Sequence, residues 1–235
     1  MLQERSQEKE LLDLGSDYYT SEEYEQCMKL LFRVNKFFGF FYTTIKTLKY
    51  FSHKSSLLDI GCGNGLFLLH LGKYFPDMQL KGIDISTDAI NLAQKELMLW
   101  NKKNLTKNVS FQLQKHPKPN IPENSVDIIL TTLVCHHLSD DELVEFLQST
   151  LLGTRQAVII NDLHRHSIAQ WFYALISPIF FKNRLIIHDG LISIRRGFTR
   201  SDWQTLLQKA KIPSYEIKWC FPFRWRLILW KNGNS

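Results

Sequence analysis

Cysteine is scarce in this chain of 235 residues, and its four cysteines lie far apart with no Cys-x-x-Cys pair. Neither a disulfide framework nor a zinc site of the usual spacing is therefore indicated. The sequence also lacks a His-x-x-x-His pair with an acid on the same helix face, so we expect no catalytic metal. A reducing compartment suits isolated thiols, and we expect a cytoplasmic protein.

Long runs of one residue type are also missing. The formal net charge is +6, yet no run of five Lys or Arg residues occurs that would form a nucleic-acid-binding tail. The first ten residues are polar and charged, unlike a signal peptide. The most apolar stretch, Ile168 to Phe181, is shorter than the roughly 20 residues that a membrane-spanning helix needs. We expect no nucleic acid partner and no membrane span, whereas peripheral contact with a membrane surface stays open.

The sequence does contain a regular alternation of strand and helix patterns that begins at Leu57. Between its strands lie helical patterns, and the order is typical of βαβ crossovers in a parallel sheet. The five predicted strands are Leu57 to Ile60, Gln79 to Ile85, Val109 to Leu113, Val126 to Leu130 and Ala157 to Asn161. Two further strand patterns, at 214–219 and 224–230, predict a terminal hairpin. The fold class is therefore α/β, a Rossmann-like sheet of seven mostly parallel strands with helices on both faces and an antiparallel C-terminal hairpin.

Two segments interrupt this alternation. Residues 1–52 are predicted to form an N-terminal helical extension, in which a capping box of Thr20 and Glu23 begins a helix with apolar residues up to Phe41. Residues 163–197, approximately, are an apolar and helix-prone insertion after the fifth strand, which we interpret as a lid. The remaining chain, 53–235, is predicted to be one domain that carries this insertion.

A glycine-rich turn follows the first predicted strand. From Asp59 to Gly65 the chain reads Asp-Ile-Gly-Cys-Gly-Asn-Gly, and a helix pattern begins at Leu66. Glycine lacks a Cβ, so it permits tight dihedrals and lets the backbone approach a ligand closely, although such a turn can also serve chain reversal alone. Asp84 favours the ligand, because it ends the second strand at the separation where an acid binds ribose hydroxyls in nucleotide-binding βαβ units.

Two cofactor classes use a loop of this kind. Dinucleotide-binding oxidoreductases need Gly-x-Gly-x-x-Gly, but here Leu66 occupies the position of the third glycine. The order Asp-x-Gly-x-Gly-x-Gly instead resembles the first motif of class I S-adenosylmethionine-dependent methyltransferases. The resemblance implies that Asp59 organises the ammonium end of S-adenosylmethionine, that the glycines wrap its methionine part and that Asp84 holds its ribose. The implied loop glycines are Gly61, Gly63 and Gly65.

The resemblance covers about residues 53 to 161. Residues 122–127 are similar to the family's Pro-x-x-Ser-Phe-Asp entry to the fourth strand, and residues 133–138 are similar to its Leu-His-His-Leu segment. It implies that Ile85 packs beside the adenine. Many members have an acid after the third strand that binds the adenine amino group, whereas this chain has Gln114, whose amide oxygen can accept the same bond. Thr131, at the fourth strand, completes the predicted cofactor set.

Four histidines follow the fourth and fifth predicted strands: His136, His137, His164 and His166. Ligands of open α/β sheets bind at the carboxyl ends of the strands, so a histidine there can take the proton of a hydroxyl acceptor. Each can equally cap a helix or bond to the backbone. We select His164 and His137 as the candidate catalytic residues.

The acceptor is implied by the residues after the fifth strand. Asp162 to His166 and Ser193 to Trp203 resemble a methyltransferase subfamily linked to phenolic lipid (type III polyketide) synthesis and, more distantly, ubiquinone and menaquinone methyltransferases. The aromatic residues of 171–181 and 37–41 can line an apolar pocket or form plain core. The resemblance implies O-methylation of a small hydrophobic, phenolic or quinone-like acceptor. Arg195 and Arg196 can hold an acidic group of that acceptor or anchor the lid to anionic lipid.

Two alternatives remain open beside O-methylation. A C-methyltransferase of quinone biosynthesis would use the same cofactor, and a non-catalytic partner protein would bind S-adenosylmethionine but lack a base. Nucleic-acid methylation is disfavoured, because no Asn/Asp-Pro-Pro-Tyr/Phe signature follows the fourth strand. The oligomeric state stays open.

Overall fold

The computed structural model describes residues 4–232 and has a seven-stranded sheet at its centre. The strands lie in the order β3-β2-β1-β4-β5-β7-β6, and all neighbours are parallel except β7, which pairs antiparallel with both β5 and β6. The strands are β1 Ser56–Ile60, β2 Gln79–Asp84, β3 Val109–Leu113, β4 Val126–Thr132, β5 Thr154–Leu163, β6 Tyr215–Cys220 and β7 Arg224–Trp230. The predicted fold class is confirmed.

Helices cover both faces of the sheet. They are α1 Ser21–Phe37, α2 Phe40–Leu48, α3 Leu66–Tyr74, α4 Thr87–Lys102, α5 Asp140–Gly153, α6 Ser167–Phe180, α7 Arg184–Arg196 and α8 Arg200–Lys209. Side chains of a strand alternate between faces, and in β4 this places Ile128 and Leu130 in the core under α2 to α4 but Ile129 in the core under α5 and α8. Both faces are therefore buried, as the continuous apolar runs predicted. Within residues 4–232, no helix is both long and apolar enough to cross a membrane.

The N-terminal extension differs from its prediction in one respect. The capping box of Thr20 and Glu23 begins α1 as predicted, but the helix does not continue to Phe41. Gly39 adopts a left-handed conformation with φ of +74°, which ends α1 and lets α2 begin at Phe40 in a new direction. Phe41 then packs on α3, where its ring lies 5.2 Å from that of Phe67, so it belongs to the core.

Residues 5–14, which we call the N-terminal segment, lie across the carboxyl edge of the sheet. The side chain of Arg5 donates to the carbonyl of Arg196 at 3.1 Å, and the backbone amides of Leu11 and Leu12 donate to the carboxylate of Asp189 at 2.9 and 3.1 Å. The segment therefore binds the insertion to the sheet. This edge is where an open α/β sheet places its ligands.

The insertion consists of two helices with different burial. Helix α7 buries Leu185, Ile186 and Ile192 and packs against α1, whereas α6 leaves most of its aromatic side chains exposed. Pro178 lies in the last turn of α6, where the helix ends at Phe180. The predicted lid is thus one packed helix and one helix whose apolar side chains face outward.

Candidate active site

The glycine loop turns from β1 into α3 through three left-handed residues, Gly61, Gly63 and Gly65, with φ of 73°, 54° and 72°. A Cβ on Gly61 would overlap the side chain of Val134, and one on Gly65 would overlap the ring of Phe111. Space beside Gly63 is open by comparison, because the nearest atom is the Met28 sulfur at 3.9 Å. Packing therefore requires glycine at positions 61 and 65, whereas the space beside Gly63 is open to a ligand.

Asp84 connects the loop to the end of β2. One carboxylate oxygen accepts from the amide of Gly63 at 2.8 Å, and the other accepts from the amide of Ser86 at 2.9 Å. Burial raises the pKa of Asp84 above its usual value, against the effect of these bonds. Helix α1 covers this part of the site with Tyr24, which is buried near Asp84. Burial, together with the carboxylate of Asp84, raises the pKa of the Tyr24 phenol.

Asp59 on β1 and Thr131 on β4 lie on neighbouring strands, one position apart in register, so their side chains lie on opposite faces of the sheet. Asp59 is only 2% exposed, and burial followed by the nearby Asp84 raises the pKa of its carboxyl well above the usual value. Its Oδ1 atom and the Thr131 hydroxyl are buried without a hydrogen-bond partner among the described residues. Buried polar atoms in proteins are normally paired, so the Asp59 oxygen, on the strand that leads into the glycine loop, fits a polar group of a bound cofactor, whereas the place of Thr131 in the cofactor set stays a prediction.

The two residues predicted for the adenine end lie at the open edge of the same site. Ile85 is 55% exposed directly after β2. The backbone amide of Gln114 donates to the carbonyl of Asp84 at 2.7 Å, and its side-chain amide nitrogen donates to the carbonyl of Pro117 at 2.9 Å and to that of His116. Because its nitrogen is engaged, the side-chain oxygen of Gln114 is the atom that can accept a bond from adenine.

His136 is the centre of a buried polar cluster beyond β4. Its Nδ1 atom lies 2.7 Å from a carboxylate oxygen of Asp162, and its Nε2 atom lies 3.5 Å from one of Glu10. Burial alone would lower the pKa of His136, but the two carboxylates outweigh it and raise the pKa to about 9. At neutral pH this side chain is therefore an imidazolium that joins the N-terminal segment to the end of β5.

His137 lies beside His136, with ring centroids 4.2 Å apart, but it is more open, with 30% of its side chain exposed. Its Nδ1 atom lies 2.7 Å from a carboxylate oxygen of Asp13. Arg196 also binds Asp13, and His137 together with Arg196 holds the pKa of Asp13 well below its usual value despite burial. A positive charge on His137 would also lower the pKa of Asp84, as the smallest of several contributions.

His164, the other predicted catalytic residue, faces a different neighbour. Its Nδ1 atom accepts from the indole nitrogen of Trp219 at 3.1 Å, and its ring lies 5.0 Å from that of Trp225. Burial, followed by His166 and Arg165, lowers the pKa of His164. It therefore packs against the β6 and β7 hairpin, whereas His137 packs against the N-terminal segment.

Two residues of this cluster, Glu10 and Asp13, were missed by the sequence analysis, and two others, Asp162 and Arg196, were named there without the role that they have in the structure. Glu10 and Asp13 lie in a polar N-terminal stretch with no motif, more than 120 positions from His137. Arg196 was predicted to face substrate or lipid, yet it is buried and donates to the carbonyls of His136 and His137 at 2.9 and 2.7 Å. No spacing rule connects these positions, because only the folded chain brings them together.

Glu10, His136 and His137 also place potential metal-ligand atoms within 4.8 Å of one another. A metal needs a free lone pair on each imidazole. Both ring nitrogens of His136 face carboxylates, and its raised pKa keeps it protonated at neutral pH. The contacts of the cluster are thus those of an ion-pair network.

Comparison with known proteins decides the family. A family model described as "Methyltransferase domain" matches residues 51–211. The chain belongs to this methyltransferase family. An uncharacterized methyltransferase of Schizosaccharomyces pombe is 34% identical over 110 residues, which are 45% of this chain and 40% of that protein, so the chain spans less than half of that relative.

Solved structures of methyltransferases share the fold. A SAM-dependent methyltransferase from Aquifex aeolicus superposes with a TM-score of 0.54 at 20% identity, over 79% of this chain and 87% of the other. Human N-acetylserotonin methyltransferase in complex with SAM superposes with a TM-score of 0.64 at 16% identity, over 92% and 58%. The predictions of a methyltransferase and of S-adenosylmethionine as its cofactor are confirmed, while the acceptor is not determined by these likenesses.

Proposed function

We propose that this methyltransferase O-methylates a small hydrophobic acceptor, phenolic or quinone-like, and that His137 is the general base. The observation that carries the proposal is the pair of His137 and Asp13, which lies just after β4, the strand next to β1. When bound, S-adenosylmethionine supplies an activated methyl group for in-line transfer to a nucleophile. The chain must then bind the acceptor, align its hydroxyl and remove the proton.

Asp13 orients the base for that role. With the Nδ1 hydrogen of His137 donated to Asp13, the Nε2 atom is left as the acceptor of the hydroxyl proton. The carboxylate then stabilises the imidazolium that forms, in the manner of a histidine and aspartate pair. His136 is less suited, because it is buried and already protonated at neutral pH. We retain His164 as the second candidate and propose that no metal takes part.

The apolar character of the acceptor is supported by the surroundings of the cluster. Tyr173 of α6 is half-buried and donates to the carbonyl of Ile186 at 2.5 Å, and burial above all, with smaller contributions from Asp189 and Glu10, raises the pKa of its phenol. We propose that this aromatic side chain of the insertion, which faces the protein, contacts the aromatic ring of the acceptor. C-methylation stays the alternative, since it does not need the same proton transfer.

The experiment compares His137→Gln and Asp13→Asn with His164→Gln in a screen of phenols and quinones for methyl transfer. We expect the first two variants to lower kcat by about 10²- to 10⁴-fold, the usual contribution of a general base, and to leave cofactor affinity unchanged. His164→Gln should retain most of the methyl-transfer activity. A chelator should not reduce the activity of the wild-type chain. Loss of turnover in His164→Gln alone would move the base to His164. Tight cofactor binding with no turnover on any acceptor would favour the non-catalytic alternative.

A further inference from the structure

One face of α6 is an unusually apolar part of the surface. Six side chains of this helix are each more than half exposed: Ile168, Trp171, Phe172, Leu175, Ile179 and Phe180. Positions 168, 171, 172, 175 and 179 recur at helical spacing, so they form one continuous stripe. We call these six residues the α6 face. A stripe of this size is seldom left in water without a partner.

The turn between β6 and β7 extends this surface. Phe221 is 76% exposed and Trp219 is 42% exposed. The ring of Phe223 lies 5.2 Å from that of His166, the N-cap residue of α6, and 6.5 Å from that of Trp219. The turn is thus joined to the first residues of α6 through aromatic contacts. Two separate parts of the chain therefore contribute to one apolar surface.

The sequence around the α6 face contains no acid. No Asp or Glu occurs between Asp162 and Asp189; of the arginines in that interval, Arg165 is buried and paired with Asp202, and Arg184 is paired with Glu23. Helix α6 itself has no charged side chain, and Lys182, just beyond its end, is exposed. The whole chain carries a formal net charge of +6. An exposed apolar stripe without an acid in its own segment, followed by an exposed lysine, complements a surface that is apolar below and anionic above.

We propose that the α6 face docks on the surface of an anionic lipid bilayer, with α6 lying in the interface rather than crossing it. An interfacial helix buries its apolar side only as deep as the boundary of headgroups and acyl chains, which suits a helix of 14 residues. The carboxyl end of β5 leads directly into α6, so docking brings the acceptor edge of the sheet towards the membrane. This inference does not depend on which residue is the base.

The test measures co-sedimentation of the full chain with vesicles of phosphatidylcholine alone or mixed with phosphatidylglycerol. Leu175→Glu changes the α6 face, and Leu152→Glu is the matched control, because the two leucines are 53% and 51% exposed and both variants add one negative charge. Leu152 precedes β5, at the opposite edge of the sheet from α6. Thermal unfolding and cofactor binding of both variants check that they fold, and Trp171→Ser provides a second change on the same face.

We expect the wild-type chain to bind the mixed vesicles and to release them as salt rises, because exposed charges are screened. Leu175→Glu should weaken vesicle binding by at least about tenfold, since it removes an apolar side chain that docking would bury in the bilayer and adds a charge. Leu152→Glu should weaken it only slightly. The proposal is wrong if the wild-type chain ignores the mixed vesicles or if both variants lose binding equally. A dimer in analytical ultracentrifugation that Leu175→Glu dissociates, without vesicle binding, would assign the face to a second copy instead.

Discussion

Two buried or half-buried aspartates on neighbouring strands differ in how their carboxylates are paired. Asp127 accepts from Arg155 at 2.7 Å and from the amide and hydroxyl of Ser56 at 2.8 and 2.9 Å, and Arg155 above all holds the pKa of Asp127 well below its usual value. One oxygen of Asp59 has no hydrogen-bond partner among the described residues, and burial raises the pKa of this carboxyl. The fold itself pairs the first carboxylate, and we propose that the ammonium group of the cofactor pairs with the second.

His136 should make the stability of the protein depend on pH. Its pKa is about 9 in the folded protein against 6.5 as the ordinary value. A raised folded pKa gives stability that is complete below pH 6.5 and is lost as pH rises through about 9. At roughly 1.4 kcal/mol per pKa unit, the loss is on the order of 3 kcal/mol.

Urea unfolding between pH 6.5 and 9 measures this loss, and His136→Gln is the comparison. The variant should be less stable at every pH, because Glu10 and Asp162 lose their partner, but its stability should change much less across this range. An equal slope in the wild-type chain and the variant would mean that the proton on His136 does not link the N-terminal segment to β5.

Gly61 and Gly39 form a natural pair for separating backbone strain from steric overlap. Their φ angles are 73° and 74°, but a Cβ on Gly61 would meet Val134, whereas a Cβ on Gly39 meets no atom within 4 Å. We expect Gly39→Ala to cost about 1 kcal/mol from the left-handed conformation alone. Gly61→Ala should cost about 1–3 kcal/mol more through overpacking and should weaken cofactor binding. Chemical unfolding and calorimetry measure both effects, and equal costs would show that Val134 moves aside freely.

Among the elements, the N-terminal segment contributes two carboxylates to the site that we propose for the acceptor. It supplies Glu10 and Asp13, while Arg196 of α7 holds the segment and the turn after β4 together through Asp13 and three carbonyls. The segment is thus part of the site rather than an appendage. An element without a motif determines how His136 and His137 are oriented.

Arg196→Met tests this arrangement. The change removes the hydrogen bonds that Arg196 donates to the carboxylate of Asp13 and to the carbonyls of Glu8, His136 and His137. We therefore expect a loss of about 3–5 kcal/mol in the free energy of unfolding. Methyl transfer should fall more than cofactor affinity, because the cofactor loop lies elsewhere. Arg200→Met, at an exposed position, should change stability by less than about 0.5 kcal/mol. Similar losses in both variants would contradict the role given to Arg196.

For the whole molecule, local patterns predicted the sheet, which is confirmed, and the residues of the cofactor half of the site, which stay a prediction. The apolar runs marked the strands, and Asp59, the glycine loop and Asp84 lie within a single βαβ unit, so their spacing along the chain carries the information. The acceptor half could not be predicted in this way. Glu10 meets His136 across 126 positions, and Arg196 meets Asp13 across 183, through contacts that depend on how the N-terminal segment and the insertion pack.

The insertion shows the same limit. Its aromatic residues were predicted to line a pocket or to form core, yet Trp171, Phe172 and Phe180 are exposed. Hydrophobic periodicity identifies a helix and its apolar face, but it does not say whether that face turns towards the protein or away from it. In the folded chain, α7 packs against α1, and the apolar face of α6 is exposed.

The decisive measurement is calorimetric titration of S-adenosylmethionine, S-adenosylhomocysteine and NADH into the wild-type chain, Asp84→Asn and Asp77→Asn. Asp77 is an exposed aspartate before β2, at the opposite end of the strand from Asp84, and serves as the control. We predict that both sulfur compounds bind the wild-type chain and Asp77→Asn, that Asp84→Asn binds them about 10- to 100-fold more weakly through the loss of charged hydrogen bonds, and that NADH does not bind. Binding of NADH alone, or affinity for S-adenosylmethionine that Asp84→Asn leaves unchanged, would contradict the assignment of the cofactor site.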